Sequence, residues 1–295
     1  VTASVVVAQM VSQGGGNAGT VLVARGVSEA AAEAPGKLDV TTRPAVTPAP
    51  TTTAIVEASG LLSNASVRHY LAGRKGNITA AVYDVATGTT SLWRPGITQY
   101  TASIVKVDIL ATLFDQFEDQ GHAISSREAS LAKRMIEQSD NTATDALWDE
   151  AGGDDGVAAF GRALGMSATI PGAETRWGYT KTTAADQVTL MKAIVLQGAV
   201  LEAAARKYML GLMEHVEKNE AWGISAGVAH GSTVALKNGW LPLDDDSWQV
   251  NSIGWVRGHD RNYIVAVLTS SNPTEGYGIQ TIQGLSSLIW AHASD

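Results

Sequence analysis

From residue 54 onward the apolar positions recur with helical or strand periods, and before it they do not. Ser63 or Asn64 stands where a cap belongs for a helix running to about Leu71. Ile78 to Val85 reads as a strand, Ala86-Thr87-Gly88 as a turn, and Thr90 to Trp93 as a returning strand. After Tyr100-Thr101-Ala102-Ser103 the apolar residues Val107, Ile109, Leu110, Leu113, Phe114 and Phe117 form one stripe of a helix. Helices are predicted at about 127–138, 142–151, 155–164, 184–197 and 201–214, then strands at 223–228, 233–239, 248–257 and 262–270. Gly258-His259-Asp260-Arg261 joins the last two as a hairpin. A helix over about 277–292 closes the pattern. Strands, a block of helices, strands and a helix predict an α+β fold: an antiparallel sheet built from both chain ends, flanking helices, and an inserted all-α lobe. A cleft between sheet and lobe is where a ligand is expected.

Residues 1–53 carry no sustained period. They hold Gly14-Gly15-Gly16, an alanine run near Ala30, and a Thr/Pro stretch from Thr41 to Thr53. This segment reads as a leader or linker, with 54–295 as the folded domain, and Pro44 to Pro50 as semi-extended. The triple glycine lacks the Lys-Ser/Thr that a phosphate loop requires. Val5-Val6-Val7-Ala8 falls far short of the ~20 residues needed to cross a bilayer, so no transmembrane segment is expected. Val at position 1 implies a trimmed chain with no signal peptide left to read.

Composition narrows the function classes. With 45% apolar and 17% charged residues, the 295-residue chain is globular in character. Net charge is −8. The first fifty residues balance (Arg25, Lys37 and Arg43 against Glu29, Glu33 and Asp39), so the whole excess sits on the rest. Such a domain repels phosphate backbones, and nucleic acid is not an expected partner. The absence of cysteine excludes disulfides and thiolate chemistry. Six scattered histidines show no paired spacing, so neither metal nor cofactor is expected. Asp244-Asp245-Asp246 lacks calcium-loop spacing and reads as a solvated turn.

Ser103-Ile104-Val105-Lys106 places a hydroxyl and an amine three residues apart, on one helix face. The helix start favours an anionic oxygen, and a buried lysine that has lost its proton can act as base to a hydroxyl. An N-cap serine is the plainer alternative. A second such pair, Ser130 and Lys133, lies within a polar-faced helix, where the lysine is expected to face solvent. Ser139-Asp140-Asn141 offers a hydroxyl for proton transfer and an amide to orient a substrate, or simply a helix cap. Lys237-Asn238-Gly239-Trp240 ends a predicted strand. There Lys237 could hold a carboxylate, Gly239 lets a substrate approach, and the N–H groups of Trp240 and Ser103 could form an oxyanion hole.

In this order the three elements resemble the signature of the class A β-lactamases and penicillin-binding proteins: S-x-x-K, S-D-N, K-T-G. The resemblance spans roughly residues 54–293. It implies a two-lobed fold, an acyl-serine intermediate, and a β-lactam or D-alanyl (peptidoglycan-like) substrate. It further implies Ser103 as nucleophile, Lys106 as its assistant, Ser139 as proton shuttle, Asn141 orienting substrate, and Lys237 binding its carboxylate. Three departures qualify it. Ser103 and Ser139 are closer together than expected, as if part of the helical lobe were trimmed. Asn238 replaces Thr or Ser, and its NH₂ group, bulkier and differently placed, is expected to hydrogen-bond a substrate carboxylate. Glu174 falls near the place of the family's deacylating glutamate, but Gly178 stands where its partner asparagine belongs, so Glu174 is either that group or a solvated loop carboxylate. The rival to an active hydrolase is a weakened or non-catalytic binding protein, or an esterase, on the same fold. A monomer outside the cytoplasm, secreted or envelope-associated, is expected. Trp177, Trp222, Trp248 and Trp255 are assigned to the core by default, and Trp240 to the cleft rim.

Overall fold

Strand β1 (Asn77–Asp84) lies against β7 (Arg261–Asn272) along its whole length, so the two ends of the described chain meet in the centre of one sheet. The structure, a computed structural model, describes residues 60–293. The predicted leader, 1–53, lies outside the described residues. With β2 (Thr90–Trp93), β5 (Thr233–Pro242) and β6 (Trp248–Gly258), the sheet runs β2-β1-β7-β6-β5, antiparallel throughout. This is the predicted α+β architecture. The two-residue loop between β6 and β7, His259-Asp260, has φ of 50° and 61°, a type I′ turn whose twist matches the strands. Asp244-Asp245-Asp246 forms the turn between β5 and β6, where Asp245 accepts from the N–H and hydroxyl of Ser247.

Alternation along the strands divides the core. One face, with Ala235, Ile253 and Leu268, packs on α2 (Val105–Gln120) and α6 (Ala184–Val195). The other, with Leu236, Val250 and Val256, packs on α1 (Ala65–Ala72) and α8 (Glu275–His292). Asn64 caps α1 through Ser66 N–H at 2.9 Å. Helices α3 (Ser126–Glu137), α4 (Asn141–Glu150) and α5 (Gly153–Leu164) form the inserted lobe, followed by α7 (Ala203–Glu214) after α6. Helix α2 is more deeply sunk than one stripe implies. Every residue from Val105 to Phe114 is buried, because α3, α4, α5 and α7 enclose the sides the sheet leaves open.

Two features depart from the sequence pattern. The strand expected at 223–228 is a run of turns. Gly223 and Gly227 adopt φ of 88° and 77°, which breaks an extended run. Side chains replace the missing ladder: Ser252 Oγ accepts from Ile224 N–H at 3.1 Å, and Ser286 Oγ donates to Ile224 O and Ala226 O. The pattern also gave no sign of β3 (Gln99–Tyr100) and β4 (Lys181–Thr182), which pair as a small second sheet. Strands of two residues are too short to show a period. They bring segment 170–182 against the start of α2, where Thr101 N–H donates to Thr180 O at 2.8 Å.

A buried polar seam anchors that segment. Asp186 Oδ2 accepts from Ala168 N–H and Thr169 Oγ1. Gln187 Nε2 reaches Thr182 Oγ1 at 3.2 Å and Asp108 Oδ1 at 3.4 Å. Burial, with Asp186 nearby, pushes the Asp108 carboxyl up to about 7. The folded state therefore keeps this proton where the unfolded chain has lost it, and the stability so gained disappears as pH rises from about 4 through about 7. Asp108→Asn removes the ionisable group. Relative to wild type, its unfolding free energy from urea titration should improve between pH 5 and pH 8 by about 1 kcal/mol or more; an equal difference at both pH values contradicts this account.

Candidate active site

Ser103 lies in a single 3₁₀ turn, Ala102–Ile104, that leads into α2. Ala102 adopts φ 49°, a left-handed conformation uncommon for a residue with a side chain. The serine is half-buried, and among the described residues its hydroxyl has no hydrogen-bond partner. Strand β5 presses against this turn at Gly239. A Cβ there would stand 2.5 Å from Ser103 N and 2.8 Å from Ile104 N, so only glycine permits the approach. A strand residue points its N–H and C=O to one side, and the side alternates with period two. Asn238 O accepts from Lys237 Nζ at 2.9 Å and so faces the open edge of β5, the last strand of the sheet. By the same alternation Trp240 N–H faces that edge, one residue on from the approach of Gly239 to Ser103.

Lys106 and Lys237 are both fully buried, and both reach Ser139. Lys106 Nζ lies 2.6 Å from Ser139 O, 3.1 Å from Ser139 Oγ and 2.9 Å from Asn141 Oδ1. Lys237 Nζ lies 3.0 Å from Ser139 Oγ. Burial pulls Lys106 down to about 7, helped by the charge of Lys237 and opposed by Glu220, Asp140 and Asp145. Burial likewise lowers Lys237 to about 8, with Glu220 opposing. The partners dictate where protons go. Ser139 O and Asn141 Oδ1 only accept, so a neutral Lys106 must turn its lone pair toward the Ser139 hydroxyl, the one partner able to donate. The chain then runs from the Lys237 ammonium to Ser139 Oγ, and from the Ser139 O–H to Lys106 Nζ.

Local structure divides the labour within Ser139-Asp140-Asn141. Asp140 is the helix cap, accepting from Ala143 N–H at 2.7 Å and pairing with Arg134. Its neighbours turn inward, Ser139 at φ 55°. The second S-x-x-K pair lies on α3, where Lys133 is exposed beside Glu137.

Ser103, Lys106, Ser139, Asn141, Lys237, Gly239 and the backbone of Trp240 are thus brought to one end of the sheet. Glu174 does not join them. It is exposed, without a polar partner among the described residues, and is not among the carboxylates acting on Lys106. The 171–180 segment instead presents Trp177, whose ring centre lies 5.0 Å from Lys106 Nζ and whose Nε1–H donates to Asp145 at 2.9 Å. Asn238 faces away: its amide donates to Glu220 O at 2.6 Å and Trp222 O at 2.9 Å, which leaves no N–H for a ligand. The Trp240 indole packs on Trp222 and the second core, not the cleft, because even-numbered β5 side chains share the α8 face. Trp177, Trp222, Trp248 and Trp255 are half-buried rather than core.

Sequence reasoning passed over Glu220, a buried carboxylate 3.9 Å from Lys237 Nζ. No period marks it. Its only signal is a lone acid before the Trp222-Gly223 turn. Burial raises its pKa, and both lysines oppose the rise.

A sequence model described as the β-lactamase enzyme family matches residues 120–293, and the chain belongs to this family. That match includes Ser139, Asn141 and Lys237, and begins after Ser103. Proteins of Mycobacterium bovis and Mycobacterium tuberculosis named "Putative lipoprotein LppW" are 28% identical over 210 residues, 67% of this chain and 64% of theirs. The chain thus spans less than two thirds of these relatives. The fold is similar to that of TLA-1 extended-spectrum β-lactamase (TM-score 0.73, 18% identity, 81% of this chain and 99% of that one). It is also similar to a β-lactamase from Chitinophaga pinensis (0.69, 20%, 78% and 98%) and to PBP-A (0.67, 20%, 77% and 93%).

Lys237→Met takes a positive charge from beside Lys106 and leaves Glu220 unpaired, and both changes favour a protonated Lys106. The Lys106 titration near 7, followed by NMR of ¹⁵N-labelled lysine side chains, should move upward in this variant. An unchanged or lower midpoint contradicts the coupling.

Proposed function

We propose that the protein is a hydrolase that forms an acyl-enzyme on Ser103 and releases it slowly. The observation that carries this reading is the Ser139 hydroxyl held between two buried lysines of lowered proton affinity, beside an unpartnered serine.

In acylation, Ser103 Oγ bonds to the carbonyl carbon of an amide or ester while its proton passes to the neutral amine of Lys106, whose lone pair turns from the Ser139 hydroxyl to receive it. The carbonyl oxygen gains negative charge and is received by the N–H groups of Ser103 and Trp240. As the tetrahedral adduct collapses, the bond to the leaving nitrogen or oxygen breaks. That atom takes a proton through Ser139, which is replenished from Lys106. Asn141, held by Lys106, orients the acyl group. Amides of the β-lactam and D-alanyl type are those the family resemblance implies.

Deacylation requires an activated water. An aromatic ring covers Lys106 from the 171–180 segment, and Glu174 lies in solvent. Among the described residues the 171–180 segment places no carboxylate at Lys106 to serve as base, which supports an acyl-enzyme that persists. The name of the mycobacterial relatives supports an envelope location for this protein also.

Intact-protein mass spectrometry after incubation with benzylpenicillin, a D-alanyl-D-alanine peptide or p-nitrophenyl acetate tests the reading. At least one should leave an adduct that lasts minutes, forms faster as pH rises through about 7, and is lost in Ser103→Ala. Adducts that survive in Ser103→Ala, or no adduct from all three, refute it.

A further inference from the structure

The carboxylate subsite implied for Lys237 is already supplied with a carboxylate from the chain itself. Glu220 Oε2 lies 3.9 Å from Lys237 Nζ, is buried, and has no hydrogen-bond partner among the described residues. Lys237 donates to Ser139 Oγ and Asn238 O, and its charge is balanced by Glu220. The neighbouring side chain offers no compensation, because the Asn238 amide is committed to two backbone carbonyls on the far face of β5. Its Oδ1 is also buried and would not donate to an anion. The remaining amine, Lys106, is pulled down to about 7 and is often neutral at physiological pH. A ligand carboxylate entering here would meet an ammonium that already has its counter-ion, the buried Glu220, and no free hydroxyl or amide donor at position 238. Like charges in a water-poor site repel more strongly than in solvent.

We propose that Glu220 acts as a specificity-determining residue that neutralises Lys237, so that the site takes uncharged acyl donors, esters or amides with no free carboxylate beside the scissile bond, in preference to carboxylate-bearing ones. This rests on the acyl-serine reading above. Lys237 then serves the relay through Ser139 rather than substrate capture.

Benzylpenicillin and its methyl ester differ only in that carboxylate. The second-order rate constants for acylation of the full-length protein, read by intact mass, should favour the methyl ester by tenfold or more. In Glu220→Gln, which keeps the shape and removes the charge, the acid-to-ester ratio of rate constants should rise tenfold or more. Glu220→Ala should shift the ratio in the same direction. A wild-type protein acylated by the acid as fast as by the ester overturns the proposal, as does an equal change for both in Glu220→Gln. If neither compound acylates Ser103, the acyl-serine reading is decided by the peptide and p-nitrophenyl acetate, and binding decides the charge argument. Ser103→Ala/Glu220→Gln should bind benzylpenicillin at least tenfold more tightly than Ser103→Ala by NMR titration, and equal affinities sink it.

Discussion

Two lysine amines share one serine oxygen in a space with little water, and the surrounding structure is organised around keeping them there. Burying an ammonium is costly, and burying a second beside it more so. The arrangement holds because each amine has acceptors: a backbone carbonyl and an amide oxygen for Lys106, another carbonyl for Lys237, and Ser139 Oγ for both. Glu220 supplies the balancing charge. The cost that remains appears as lowered proton affinity, and that is what makes an amine useful as a base. Each contributor comes from a different element. Helix α2 brings Lys106, the α3–α4 junction brings Ser139 and Asn141, and the edge strand β5 brings Lys237.

Most of the fold was legible in the sequence, because long elements declare themselves by period. The order of strands and helices, the meeting of the chain ends and the β6–β7 hairpin all followed from apolar spacing and turn residues. The depth at which α2 is buried did not, since one stripe says nothing of what covers the other faces. Segment 223–228 read as a strand because its composition is compatible with one. Two glycines in left-handed conformation, with Ser252 and Ser286 answering the backbone, made it a turn. The cluster of Ser103, Lys106, Ser139, Asn141 and Lys237 was legible from spacing and order. Its modifiers were not. Whether Glu174 or Trp177 faces Lys106 depends on how a loop folds back, and Asn238 turning away is a matter of strand parity at one position. Glu220 reaches the site from a turn that no motif includes.

The same fold is seen in proteins that share about a fifth of their residues with this one, and a shared fold leaves the chemistry to the site. Here the turn carrying Ser103 and the Lys106–Ser139–Lys237 cluster keep the residue types that the family resemblance implies. Trp177, Asn238 and Glu220 lie around that cluster, Trp177 against Lys106 and Glu220 beside Lys237, while the Asn238 side chain turns to the other face.

The pairing of β1 with β7 carries a consequence for biosynthesis. Helix α2 and its serine leave the ribosome well before β5, β6 and β7, which flank and complete the site. Until those strands emerge, β1 has no central partner, and Lys106 has neither Lys237 nor Glu220 near it. In a nascent chain Ser103 and Lys106 therefore stand without these neighbours. Sheets closed by such distant segments form late and slowly, so the bridge from Lys106 through Ser139 to Lys237 is among the last contacts to form.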